Sequence, residues 1–149
     1  MKQCDLLIKN CSILTPDFQI RKDCSVAVSD TRICQVGDAR TVNGAWQGKE
    51  VIDAEGNLVM PGFVDGHTHT CQQLLRGRTA DEYPMIWTRF LVPFESNLSP
   101  EDVRASARLH CAEMIKAGIT SFADAGGVHM EEVAEAVVET GMRAAICPS

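Results

Sequence analysis

The first sixty residues alternate short apolar runs with polar turns, which predicts short β-strands joined by tight connections. The predicted strands are 5–9, 11–15, 25–28, 32–36, 51–54 and 58–60. Two of the connections, Ser29-Asp30-Thr31 and Glu55-Gly56-Asn57, predict antiparallel hairpins, and the polar stretch 38–48 predicts a loop. This part of the chain therefore predicts a small antiparallel unit with no chemistry of its own.

A helical periodicity appears further along the chain. Ser99 as N-cap, Pro100 at the first helical position and two acids after it predict the start of a helix. Its apolar face is formed by Val103, Ala107, Cys111 and Met114, and Gly118 predicts its end. Apolar residues at helical spacing from 130 to 138 predict a second helix, which Gly141 ends.

Short apolar runs at 59–65, 119–123 and 143–147 predict three strands around these helices. The order strand, helix, strand, helix, strand predicts a parallel sheet with right-handed crossovers. Between the first strand and the first helix, residues 70–98 are too apolar for a disordered linker. This segment predicts an ordered lid or short helix, broken at Pro84 and Pro93.

The composition restricts the partners and the compartment. The chain has 149 residues, a formal net charge of −6 and scattered basic residues, which argues against binding to nucleic acid. No apolar run approaches the roughly 20 residues of a membrane span, and the N-terminus does not resemble a signal peptide. Seven widely spaced cysteines without a C-x-x-C pair predict buried, reduced thiols in a cytoplasmic protein, with a cysteine-based zinc site or a disulfide framework as the alternative.

Two histidines follow the apolar strand that begins near Val59. His67 and His69 are two residues apart, so on an extended chain their imidazoles point to the same side and can bind one metal ion. A divalent metal held by neutral imidazoles lowers the pKa of its water towards 7 and so supplies a hydroxide nucleophile near neutral pH. On spacing alone, two histidines packed on a strand for other reasons are an equal alternative.

The residues around this pair carry a resemblance to a known family. The run from Leu58 to His69, containing Pro61-Gly62 and the H-x-H pair, resembles the amidohydrolase superfamily. Leu74-Leu75-Arg76-Gly77, Pro93-Phe94-Glu95 and the run 117–124 are similar to its aminohydrolase branch. That branch includes S-adenosylhomocysteine and methylthioadenosine deaminases, guanine and 8-oxoguanine deaminases, and triazine hydrolases.

The resemblance implies an α/β fold: a small β-sandwich domain followed by a metal-dependent (β/α)₈ TIM barrel, of which this chain holds about three strands. The domains would be 1–58, a portion of a sandwich built from both ends of the full-length chain, and 59–149, the start of the barrel. His67 and His69 would be metal ligands for zinc, with iron as the alternative, and no catalytic acid or base is expected in this chain. The remaining ligands would come from later strands, beyond Ser149, so this chain alone is expected to be inactive. The full-length protein is expected to be a homo-oligomer.

Three residues are candidates for contact with a small-molecule substrate. Gln72 resembles a glutamine that reaches the substrate ring in the oxopurine and triazine members, and Glu95 resembles a glutamate that binds ribose hydroxyls in the adenosine-type deaminases. Trp87 is a candidate pocket wall or part of the lid core. A polar residue at a helix start (Gln72) and an ordinary surface acid (Glu95) are the alternatives.

Four other polar residues receive structural interpretations. Asp124 at the end of the second strand is expected to be a capping or salt-bridged acid, and Cys71 is not expected to be a third ligand. His110 and His129 are expected at the surface.

Three functions remain open at this point. The first is the hydrolytic deamination of a purine, nucleoside-like compound or other N-heterocyclic amine. The second is cyclic-amide hydrolysis, as in dihydroorotase-like members of the same superfamily. The third is a non-catalytic fragment that needs a partner to supply further strands.

Overall fold

The computed structural model describes residues 1–79, 81 and 84–148, and its contacts divide the chain into two compact units. The N-terminal unit is Met1–Pro61 and the C-terminal unit is Gly62–Ser149. The sequence had placed the division between residues 58 and 59. None of the helices in the described residues is both long and apolar enough to cross a membrane.

The N-terminal unit is built on one five-stranded mixed sheet. Its strands are β1 (Lys2–Leu14), β2 (Ile20–Ser29), β3 (Arg32–Asp38), β4 (Trp46–Asp53) and β5 (Leu58–Val59). The order is β3-β2-β1-β4, and β5 also pairs with β1. Within the described residues this is a single sheet. The resemblance implies only a portion of the sandwich here, with the rest from the other end of a full-length chain, so the sandwich stays a prediction.

Strand β1 is continuous where two strands were predicted. Asn10, at the predicted break, has a positive φ of 52°, and the pairing with β2 shifts register between Ile8 and Cys11. An irregularity of this kind bends a strand without ending it. The predicted hairpin between β2 and β3 is confirmed, with Val28 opposite Ile33.

Two predictions for the N-terminal unit are wrong. Strands β4 and β5 do not form a hairpin, because both run parallel to β1 and pair with successive parts of it. The predicted loop 38–48 contains helix α1 (Ala39–Ala45) and the start of β4. The Asp38 side chain caps α1 by accepting from the Thr41 amide at 3.2 Å, and Val42 is the helix's buried residue, packed with Cys4 and Leu7.

The C-terminal unit has the predicted strand and helix order. Strands β6 (Phe63–Thr68), β7 (Ile119–Asp124) and β8 (Arg143–Ile146) form an open parallel sheet in that order. Strand β6 begins at Phe63 and not at residue 59, because Leu58 and Val59 belong to the N-terminal sheet. Between residues 70 and 98 lie a 3₁₀-helix (Thr70–Leu75), a π-helical turn (Trp87–Leu91) and helix α2 (Val92–Glu95), which confirms an ordered segment. Residues 80, 82 and 83 of that segment lie outside the described residues.

Helices α3 (Pro100–Lys116) and α4 (Met130–Thr140) pack together in the core of the C-terminal unit. Ser99 and Asp102 form a reciprocal capping box at the start of α3, and Gly118 adopts φ +78° just after its end. The predicted apolar face of α3 is buried. Gly141 ends α4 with φ +72°, as predicted.

All seven cysteines are unpaired thiols, as expected. Five are buried as predicted, but the prediction is wrong for Cys34 and Cys147, which are exposed. Cys34 lies in β3, which has no buried residue, and Cys147 follows the end of β8.

Candidate metal centre

The two histidines lie together at the carboxyl end of β6. Their ring centroids are 5.3 Å apart and the rings are nearly perpendicular, at 81°. His67 is exposed and His69 is half-buried, whereas Thr68 between them is buried. The Thr68 hydroxyl lies 2.9 Å from Nε2 of His110 on helix α3. This hydrogen bond ties the residue between the histidines to the core.

One nitrogen of His69 is already engaged by the backbone. Nδ1 lies 2.8 Å from the carbonyl oxygen of Gly126. A carbonyl oxygen can only accept, so Nδ1 carries the proton and Nε2 keeps its lone pair. Metal-bound histidines in proteins commonly donate their second N–H in this way, which fixes the ring and its tautomer. In the neutral imidazole this arrangement leaves the lone pair of Nε2 available to a cation.

The spacing of the two rings fits one metal ion. With Zn–N bonds of about 2.1 Å and tetrahedral angles, two imidazoles on one zinc would have ring centroids about 5 Å apart. The observed separation of 5.3 Å agrees with that value. Within residues 1–79, 81 and 84–148, however, no group of three or more His, Cys, Asp or Glu side chains could hold a metal. A metal site with three or four ligands would therefore need groups besides His67 and His69.

A buried carboxylate supports the backbone beside His69. Asp124, 4% exposed at the end of β7, accepts from the amide and the hydroxyl of Thr70 and from the amide of Gly126. It therefore links the residue after His69 to the residue whose carbonyl His69 contacts. This agrees with the predicted capping role of Asp124.

Two of the three predicted substrate residues contact each other. His67, His69 and Gln72 line one open pocket of about 340 Å³. The Gln72 side-chain amide donates to the carboxylate of Glu95, which lies in α2. Trp87 is 64% exposed and is not among the residues that line this pocket.

The Cys71 side chain lies in the core of the C-terminal unit. It is fully buried with residues of α3 and α4. Burial, followed by the nearby carboxylates of Glu95 and Asp124, raises the pKa of the Cys71 thiol to about 12. A thiol of this kind stays protonated and is a poor metal ligand, which agrees with the expectation from the sequence.

The expected surface position of His110 is wrong. His110 is only 9% exposed, and burial lowers the pKa of its imidazole. It lies three residues after Ala107 and four before Met114, so helical spacing already placed it on the buried face. That spacing is the signal that could have identified it. His129 is half-buried, with Nε2 3.2 Å from the Leu98 carbonyl oxygen.

Comparison with known proteins identifies the family to which these residues belong. The sequence model of the amidohydrolase family matches residues 58–148, which include both histidines, Gln72, Glu95 and Asp124. This chain belongs to the amidohydrolase family. The match begins at β5 and runs through β8.

The curated relatives of this amidohydrolase chain include two deaminases. A 5'-deoxyadenosine deaminase of Methanosarcina acetivorans is 39% identical over 145 residues, which are 95% of this chain and 32% of the relative. A 5-methylthioadenosine/S-adenosylhomocysteine deaminase of Moorella thermoacetica is 38% identical, over 95% of this chain and 33% of the relative. The chain therefore spans about a third of the length of the curated relatives it matches.

A solved structure has the same fold over this region. The crystal structure of an adenosine deaminase from Xanthomonas campestris with bound zinc superimposes with a TM-score of 0.87 and 29% sequence identity. The superposition covers 96% of this amidohydrolase chain and 33% of the adenosine deaminase.

Proposed function

We propose that this amidohydrolase chain supplies the first part of a metal-dependent deaminase for adenosine-like amines. The reaction replaces the exocyclic amino group of the substrate ring with oxygen from water and releases ammonia. The β6-β7-β8 sheet would be the start of a (β/α)₈ barrel, and further strands, such as those in the unmatched two thirds of the relatives, would complete the metal site.

The observation that carries this proposal is the geometry of His67 and His69. Two imidazoles 5.3 Å apart at the carboxyl end of a parallel strand have the spacing of ligands on one tetrahedral ion. Catalytic residues collect at this end of the strands in α/β barrels. A divalent metal held there, zinc with iron as the alternative, would lower the pKa of a bound water and supply a nucleophile near pH 7.

The substrates named for the relatives support an adenosine-like substrate, and Gln72 and Glu95 are two adjacent side chains that could contact it. Because the Gln72 amide nitrogen faces the Glu95 carboxylate, its carbonyl oxygen is directed elsewhere and can accept from a ring amino group. The carboxylate of Glu95 keeps acceptor capacity for the hydroxyls of a sugar. Together the two side chains could bind a base and its ribose. Trp87, which is exposed and does not line the pocket, stays a candidate for the pocket wall or the lid core.

The test measures ammonia release by the longest protein that the gene encodes, with zinc or iron added. The substrates are 5'-deoxyadenosine, methylthioadenosine and S-adenosylhomocysteine, compared with guanine and the cyclic amide dihydroorotate. We expect release from at least one adenosine compound and a large loss in His67→Ala and His69→Ala. His129→Ala is the matched control, because His129 lies outside the pocket. Hydrolysis of dihydroorotate without any ammonia release would replace this proposal with cyclic-amide hydrolysis.

A second candidate is a non-catalytic role for these 149 residues by themselves. It is favoured by the absence of a third ligand among the described residues and by the open edges of the β6-β7-β8 sheet. Light scattering on the purified 149-residue chain tests it. Self-association or instability would support the view that these residues need further strands and are not catalytic by themselves. A folded monomer that binds zinc tightly would contradict that view.

Partners and compartment follow from the same proposal. We propose a small-molecule substrate, no nucleic acid or membrane partner, a cytoplasmic location and a homo-oligomeric complete protein. The net charge of −6 supports the exclusion of nucleic acid. Size-exclusion chromatography with light scattering of the complete protein measures the oligomeric state.

A further inference from the structure

The carbonyl group that holds His69 lies in a turn that is fixed by several independent contacts. The turn follows β7 and contains Ala125, Gly126 and Gly127. The Ala125 amide donates to the Thr68 carbonyl at 2.9 Å. The Gly126 amide donates to Oδ1 of Asp124, also at 2.9 Å.

Both glycines of this turn are required by its geometry. Gly126 has φ +98°, a conformation that side chains other than glycine's rarely adopt. A Cβ atom on Gly127 would lie 2.5 Å from Sγ of Cys71, so the backbone there packs directly on the buried thiol. The Gly126 carbonyl therefore has little freedom to turn away from His69.

The Asp124 carboxylate joins this turn to the chain on the other side of His69. Its Oδ1 accepts from Gly126, and its Oδ2 accepts from the amide of Thr70 at 3.0 Å and from the Thr70 hydroxyl. The two oxygens thus hold the residue that follows His69 and the residue whose carbonyl His69 contacts. A single buried side chain sets the distance between His69 and its hydrogen-bond acceptor.

We propose that Asp124 is a positioning residue that keeps His69 in the Nδ1–H tautomer, through the Gly126 carbonyl, and so presents Nε2 to the metal. This rests on the proposed function only in taking His69 as a metal ligand. In this proposal Asp124 acts through the Gly126 carbonyl and is not itself a metal ligand. Its three hydrogen bonds would be satisfied equally well in a purely structural role, so the test must measure His69 directly.

The first measurement is the tautomer of His69 in metal-free protein. Long-range ¹H–¹⁵N correlation spectra of histidine-labelled protein near pH 8 distinguish a protonated Nδ1 from a protonated Nε2. We expect Nδ1–H for the wild type. Asp124→Asn has only one acceptor oxygen for donors on two sides, and its NH₂ group would oppose one of them. We expect a mixture of His69 tautomers in this variant and zinc affinity lower by roughly 10- to 100-fold.

Thr70→Val is the matched control. It removes the hydroxyl hydrogen bond to Oδ2 of the same carboxylate and leaves the bond between Oδ1 and Gly126. We expect it to destabilise the protein while His69 keeps its Nδ1–H tautomer and its zinc affinity.

Three results would overturn the proposal. One is an Nε2–H tautomer of His69 in the wild type. The second is an unchanged tautomer and zinc affinity in Asp124→Asn. The third is failure of both Asp124→Asn and Asp124→Ser to fold while Thr70→Val folds, because that shows a structural role alone. The tautomer is measured without substrate, so absence of ammonia release would refute the proposed function and leave this result standing.

Discussion

A single methyl group added at Gly62 is predicted to destabilise the C-terminal unit. Gly62 directly precedes β6, and its neighbour Phe63 donates its amide to the Gly118 carbonyl at 2.9 Å. A Cβ atom at Gly62 would lie 2.2 Å from Cγ2, 2.5 Å from Oγ1 and 2.9 Å from Cβ of Thr120. Rotating the threonine does not solve this, because its two γ atoms occupy two of the three staggered positions in every rotamer.

The change in stability is the difference between two opposing effects. Overpacking a site of this kind costs about 1–3 kcal/mol. Replacing glycine with alanine in a strand also reduces the entropy of the unfolded chain, which stabilises by about 0.5–1 kcal/mol. Because the clash outweighs this entropic gain, Gly62→Ala should lower the free energy of unfolding by about 0.5–2 kcal/mol.

Two further variants isolate the clash. Gly66→Ala is the matched control, since Gly66 lies four residues further on, within β6, and its Cβ would meet nothing within 4 Å. Thr120→Ala in the Gly62→Ala background removes both γ atoms and should recover most of the loss. A coupling of about 1–2 kcal/mol between the two sites is expected.

Urea unfolding followed through the methyl signals of Met114 and Val133 reports on the C-terminal unit directly, because both side chains are buried in its core. If Gly62→Ala is as stable as Gly66→Ala, or if Thr120→Ala does not rescue it, the close approach does not limit this position.

Three further outcomes are expected. Burial, the largest influence, holds the pKa of His110 below its usual value, so the unfolded state binds more protons than the folded state. Stability should therefore fall as the pH drops below about 6.5. The free energy of unfolding, measured in urea at pH 7.5 and 5.0, should differ less between the two pH values in His110→Gln than in the wild type. Iodoacetamide at pH 8 should modify the exposed Cys34 in native protein and leave Cys71 unmodified, because the pKa of the Cys71 thiol is raised to about 12. Peptide mass spectrometry measures the modification, and modified Cys71 would contradict the prediction. Met114→Ala should cost about 2–5 kcal/mol in urea unfolding, whereas Ile115→Ala, at a half-exposed neighbouring position, should cost much less, and equal losses would disprove the assigned helix face.

The helices of the C-terminal unit could be predicted because their signals are local. Ser99 and Gly118 mark the ends of α3, and the apolar spacing within it identifies its buried face. Helix α1 lacked such a pattern, since Val42 is its buried residue, and the cap from Asp38 to Thr41 was its main signal.

Strand pairing in the N-terminal unit could not be predicted because it is not local. The turn at 55–57 suggested that β4 and β5 pair with each other. Strand β1 is 13 residues long, and its first part pairs with β4 whereas Ser12 and Ile13 pair with β5. Nothing in the local sequence of either strand shows that this edge is available.

The same distinction holds at the candidate site. His67 and His69 could be predicted as a pair because their spacing of two fixes their relative position on a strand. The contact between Gln72 and Glu95 joins residues 23 positions apart, and the contact of His69 with Gly126 joins residues 57 apart. Such contacts depend on the packing of several elements, so only the structure brings them together.

Zinc content tests the central claim, that His67 and His69 bind one metal ion, most directly. The complete protein and its variants are loaded with zinc, dialysed and analysed by elemental mass spectrometry. We predict bound zinc in the wild type and in His129→Ala, and loss of most of it in both His67→Ala and His69→Ala. Unchanged zinc content in both of these variants would contradict the account.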